Sequence, residues 1–272
     1  MKRRIVIATV LLLVAAASLA AHDLFLKPDS FFVAPDGTIS VRVLNGTFSK
    51  SENAVARDRL RDISVVTPDG VTHPDTSEWD DRSDTTTSVL RVRVGPSGTY
   101  VIGASVRPRE LKLAAKDFNA YLASDGVPDV LEARRRNDEL GTPARERYSK
   151  HVKAVVQVGD RRTDTYTTAL GYPAELIPLD NPYTLRAGGT LRVRALVEGE
   201  PVANQFVVAG GRTPSGGRIA QRSVRTDSVG VARVRVSSRG AWYVKFIHME
   251  RATADTTIDY ESKWATLTFG VR

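Results

Sequence analysis

Apolar and polar side chains alternate with a period of two along most of the chain beyond residue 22, the signature of half-buried strands. Residues 38–44 set Ile39, Val41 and Val43 against Ser40 and Arg42, and residues 88–94 set Leu90, Val92 and Val94 against Arg91 and Arg93. Residues 63–67 run into Pro68-Asp69-Gly70, and Pro96-Ser97-Gly98 leads into residues 99–106. In both places Pro presets its own φ and Gly tolerates positive φ, so the chain turns between strands. Residues 72–87 are polar and acidic and predict an exposed loop. Further strands are expected at 191–197, 206–209, 231–236, 242–247 and 264–269.

The pattern changes between residues 108 and 151. Ala114, Phe118, Tyr121 and Leu122 recur at helical spacing, and Asp125-Gly126 ends that helix. Residues 128–140 predict a second helix and 143–150 a short third one, before strand alternation returns at 151–158. The expected fold is mainly β: two antiparallel sandwiches, Ig-like or transthyretin-like, with a small helical insertion (108–151) in the first. The first sandwich is expected over 22–168 and the second over 172–272, joined by a polar linker from about residue 160. No strict repeat of solenoid or propeller length is present.

Lys2-Arg3-Arg4, sixteen uncharged residues (5–20) and a small-residue end describe a secretory signal peptide over residues 1–21. The run is shorter than the ~20 apolar residues that span a bilayer. Export places the mature chain in the periplasm or outside the cell. Cutting after Ala20 or Ala21 leaves Ala21 or His22 first. Removing the three leading bases takes the formal charge from +8 to +5, and export makes nucleic acid an improbable partner for this basic chain. The absence of cysteine excludes disulfides, Cys-ligated metals, lipid attachment at a cysteine and thiol catalysis.

Several segments resemble the exported DUF4198 family. They are Ala21-His-Asp-Leu-Phe-Leu-Lys-Pro28, Phe118-Asn-Ala-Tyr-Leu-Ala-Ser-Asp-Gly126, Arg145-Glu-Arg-Tyr-Ser-Lys-His-Val-Lys153, Tyr172-Pro-Ala-Glu-Leu-Ile-Pro-Leu-Asp-Asn-Pro182 and Trp264-Ala-Thr-Leu-Thr-Phe269. Some relatives are described as periplasmic components of nickel or cobalt uptake, so the resemblance implies a possible membrane transport complex as partner. Gly199-Glu-Pro-Val202, Thr226-Asp-Ser-Val-Gly230 and Gly240-Ala-Trp-Tyr-Val244 are similar to a carboxypeptidase-regulatory or transthyretin-like module.

Only four histidines are available: His22, His73, His151 and His248. A cut after Ala21 makes His22 the N-terminal residue, whose amine and imidazole can chelate a divalent metal together. A cut after Ala20 offers the amine, the His22 amide nitrogen and the imidazole. His248 and Glu250 share a strand face with Val244 and Phe246, and a neutral imidazole beside a carboxylate suits nickel, cobalt, zinc or copper. Asp255, Asp259 and Glu261 follow as possible oxygen donors. The expected metal ligands are His22, His248 and Glu250, and the family resemblance implies nickel or cobalt first, with copper or zinc as alternatives. The two imidazoles are expected to share one ion. On the short third helix Tyr148 is expected to pack against the sheet and Glu146 to pair with Arg145, Lys150 or another base, the alternative being that both line a pocket. His151 is expected to be exposed and His73 to lie in the exposed loop. No HExxH, GxSxG, GxGxxG or Walker A pattern occurs, and the chain is not read as an enzyme. The competing reading is a non-catalytic envelope module that recognises a protein or a glycan.

Overall fold

The computed structural model describes residues 22–272; the expected signal peptide lies outside the described residues. The chain is mainly β. Its first half contributes β1 (Asp23–Pro28), β2 (Phe32–Val33), β3 (Thr38–Gly46), β4 (Leu60–Thr67), β5 (Gly70–Thr72), β6 (Trp79–Asp80), β7 (Ser88–Arg93) and β8 (Gly98–Leu113). Helices α1 (Ala115–Asp125) and α2 (Pro128–Arg136) follow, and then β9 (Ala144–Val158). The second half contributes β10 (Ala174–Pro178), β11 (Thr190–Val197), β12 (Glu200–Pro201), β13 (Phe206–Arg212), β14 (Arg218–Arg225), β15 (Val231–Arg235), β16 (Gly240–Arg251) and β17 (Tyr260–Val271).

These strands form three sheets, and the largest runs through both halves. Its order is β14-β13-β16-β17-β9-β8-β4-β5, with β2 alongside β9. The junction between the halves is the parallel pairing of β17 with β9, from Tyr260 opposite Glu146 to Thr268 opposite Ala154. A first-half sheet, β1-β3-β7-β6, and a second-half sheet of β10, β11, β12 and β15 complete the fold.

The two smaller sheets cover opposite faces of the large one. On one face Leu26, Val41, Trp79 and Leu90 pack with Ile102, Ala104, Val152, Ala154 and Val156. On the other, Val101 and Val155 join Leu176, Leu191, Val193, Val234, Val244 and Leu267. β1 lies across β17, where the Thr266 and Thr268 hydroxyls donate to the carbonyls of Leu24 and Leu26 (2.8 and 2.6 Å).

Strand β9 is therefore covered on both sides, and every residue from Ser149 to Val158 is buried. Its polar members need partners within the protein. His151 bonds the hydroxyls of Ser105 and Ser149 (2.9 and 3.0 Å). Gln157 donates to the carbonyls of Gly98, Val158, Gly159 and Arg161. Lys153 forms a buried ion pair with Glu175, whose carboxylate also accepts from the amides of Leu170 and Tyr172 (2.9 and 2.8 Å). That pair ties the polar segment after residue 160 to the large sheet.

Two expectations change here. Residues 143–150 form no third helix, because 144–150 belong to β9. Ala144, Glu146 and Lys150 turn inward, and because two of the three are charged the alternation is masked. His151 is buried, not exposed, and burial, helped by Arg61 and Lys263, pushes its imidazole down to about 3. The expected insertion is a prolongation of the β8–β9 hairpin, paired from Arg109–Tyr148 to Leu113–Ala144, which carries α1 and α2. Gly126 caps α1 with φ 89°, as the Asp-Gly ending predicts. Phe118, Tyr121 and Leu122 of α1 pack on Ile247, Met249, Tyr260 and Trp264.

Removing one partner of the Lys153–Glu175 pair leaves a buried charge alone. Lys153→Ala is expected to cost about 3–5 kcal/mol in denaturant unfolding. The double change Lys153→Met with Glu175→Gln, which keeps an acceptor oxygen for the Leu170 and Tyr172 amides, is expected to cost less. Equal losses in the two proteins would contradict this assignment.

Candidate functional site

Where β1 begins, the edge of the first-half sheet meets the end of α1 and the β13–β14 hairpin. They enclose a cleft of about 460 Å³ lined by His22, Asp23, Glu52, Asp125, Tyr243 and Lys245, among others. His22 precedes β1, and its backbone carbonyl accepts from the buried Lys150 ammonium. Its imidazole Nε2 lies 3.3 Å from Glu52 Oε2. Lys150 also lies over the rings of Trp264 and Tyr148 (4.8 and 5.1 Å). Burial lowers its ammonium to about 8, against the opposing pull of Asp23, Glu146 and Asp125.

The cleft floor is charged. Lys245 Nζ donates to Asp23 Oδ2 at 2.6 Å and lies 3.6 Å from Asp125 Oδ1. Burial opposes the Lys245 charge, but Asp23 and Asp125 outweigh it and raise the ammonium above its ordinary value. Burial pushes Asp125 up to about 6; Lys245 opposes the rise and the like charge of Asp23 adds to it. Asp23 Oδ1 is enclosed without a hydrogen-bond partner among the described residues.

His248 and Glu250 do meet, but elsewhere. His248 Nε2 lies 3.1 Å from Glu250 Oε1, and its Nδ1 lies 3.0 Å from Gln205 Oε1. The Gln205 amide nitrogen donates to the carbonyls of Phe206 and Ile247, which fixes its oxygen as the acceptor. Nδ1 therefore donates to Gln205, and Nε2 is left facing the Glu250 carboxylate.

The two imidazoles do not share a site. Alternation along β16 puts Lys245, which holds Asp23, on the face opposite His248, and His248 lines a different, smaller cleft. Among the described residues no three His, Asp or Glu side chains converge on one metal position. Asp255 and Glu261 are engaged by Arg147, and Asp259 accepts from the Arg145 amide. His73 is exposed, as expected, against Asp62 (2.8 Å). Glu146 is buried beneath α1, where it accepts from Tyr121 (3.1 Å) and Ser262, and Tyr148 packs half-buried beside that cluster.

The DUF4198 sequence profile, a domain of unknown function, matches residues 19–250. The chain belongs to the DUF4198 family. No curated protein matches it. Among solved structures, the chain is similar to a biofilm-associated protein (BSP domain) at 11% identity, over 90% of this chain and 29% of that one, with a TM-score of 0.21. A likeness that low carries no argument about this DUF4198 chain.

Sequence reading missed Asp23, Glu52, Asp125, Lys150 and Lys245 in this DUF4198 protein. Lys245 had a signal: it shares a strand face with Tyr243 and Ile247, and a charge on an apolar face requires a partner. Glu52 and Asp125 have no local signal, since they reach the cleft only through the tertiary fold.

A carboxyl whose folded pKa lies above its unfolded value of 3.8 binds a proton more readily in the folded state. Its contribution favours folding at low pH and is lost as the pH rises through about 6. Asp125→Asn removes that dependence. Relative to the wild type, the variant is expected to gain on the order of 2 kcal/mol as the pH rises from about 4 to about 7, read from denaturant midpoints. Parallel pH profiles for the two proteins would contradict it.

Proposed function

We propose that the processed chain is an exported accessory protein that takes up a divalent transition-metal ion, nickel or cobalt first, as cargo for an uptake system. The observation that carries this reading is the His22 imidazole held beside the Glu52 carboxylate at the mouth of a polar cleft. Signal removal after Ala20 or Ala21 would leave His22 second or first in the chain. The new α-amine or the His22 amide would then add a nitrogen donor that the two side chains lack.

The residues fit an exchangeable ion better than a permanent one. Imidazole and carboxylate both suit nickel, cobalt, zinc and copper, but structural sites supply about four protein donors. The Lys150 contact fixes the backbone of His22, and Asp23 and Asp125 pair with Lys245 on the floor of a cleft that Arg212 and Arg218 also line. His248 and Glu250 form a separate two-donor position, with Gln205 orienting the ring. This reading assigns binding and no catalysis. We also read the halves as two sandwiches fused through the common sheet, the second being the transthyretin-like module.

Calorimetric titration of the secreted protein with nickel chloride tests the reading. His22→Ala is expected to weaken the main binding event by at least about tenfold, and His248→Ala to leave it unchanged. Absence of nickel, cobalt, zinc and copper binding by the wild type, or binding indifferent to His22, would contradict it.

A further inference from the structure

We propose that the groove between β14 and β15 docks an extended, acidic segment of a partner protein, which adds to the free edge of β14 as a further strand. The groove shares Gln221 of its lining with the cleft at His22, but the proposal does not rest on metal binding.

Charge is the first support. Residues 212–239 contain seven arginines, no lysine and a single acid, Asp227. That carboxylate is occupied within its own turn by the amides of Val229 and Val231. Arg192 and Arg225 nearby are neutralised by Asp180 and Asp129. Arg222, Arg233 and Arg235 are exposed and make no ion pair among the described residues.

Geometry is the second support. Arg222 lies opposite Ala209 and Val224 opposite Val207 across the β13–β14 pair. Directly opposed residues share a sheet face, and Ala209 and Val207 are buried in the core between the sheets. Arg222 therefore leans over the groove toward β15. The groove encloses about 430 Å³, with Ala209, Val234 and Trp242 among its apolar lining and Arg222, Arg233 and Arg235 among its charged lining.

The backbone is the third support. Among the described residues β14 pairs only with β13, and β15 only with β11, so both strands keep a free edge there. A polypeptide strand can satisfy those amides and carbonyls in register, whereas a polysaccharide has no ladder to offer. A carboxylate on the inward face of the added strand would meet Arg222 in a charge-assisted hydrogen bond. Arg233 and Arg235, which alternate with the core-facing Ala232, Val234 and Val236, add positive charge on the outer side of β15. Pairing with the β14 of a second copy is disfavoured, because it would bring arginine against arginine.

The test is fluorescence anisotropy of the secreted protein with a labelled peptide of about ten alternating Glu and Val residues, a typical strand length or slightly more. Binding is expected to weaken by about tenfold or more in R222Q/R233Q/R235Q and by a similar factor for the same peptide with N-methylated backbone amides. His22→Ala should bind the peptide as the wild type does. The three arginines are exposed, so an unchanged thermal melt is expected to show that the variant folds; R222Q alone serves if it does not. No binding, an unaffected triple variant, equal binding of the N-methylated peptide, or displacement by alginate as effective as by unlabelled peptide would each overturn the proposal.

Discussion

The parallel pairing of β17 with β9 is the constraint on which the rest of the structure depends. It brings the last strand of the chain beside one from its middle, so one sheet passes through both halves. The smaller sheets then pack on opposite faces, and β9 from Ser149 to Val158 is left with no side open to water. A strand in that position can keep polar side chains only if each finds a partner. His151, Lys153 and Gln157 all do, and their partners fix Ser105, Glu175 and the segment after residue 160 in place.

The cleft at His22 inherits this construction. Asp23 and His22 come from the start of the described chain, Asp125 from the end of α1, and Lys245 from the second half. None of these side chains reaches the others without the shared sheet, since β1 rests on β17 and Lys245 stands on the neighbouring β16. The Lys150 contact to the His22 carbonyl adds a further tie from β9. A charged floor of this kind is costly to bury unless paired, and Asp125, whose proton is held to about pH 6, shows where that pairing is least complete.

Much of the β architecture is legible in the sequence, because residues such as Ile39, Val41 and Val43 alternate cleanly with polar ones. The α1 helix and its Gly126 end are legible for the same kind of reason. Residues 143–150 mislead because their inward positions, Glu146 and Lys150, are polar, and polarity there reflects partners supplied by α1 and β17. The parallel seam has no sequence signal: registers between strands more than a hundred residues apart are set by packing. Strand alternation correctly places His248 and Glu250 together, whereas the separation of His22 from His248 depends on which face of β16 meets β1.

Native-state hydrogen exchange tests the shared sheet most directly. The account predicts that the slowest amides of β9, β17, β3 and β11 open with one common free energy, that of global unfolding. Exchange of β11, β13 and β16 through an opening that leaves β3, β7 and β8 fully protected would show that the halves unfold separately, and would contradict it.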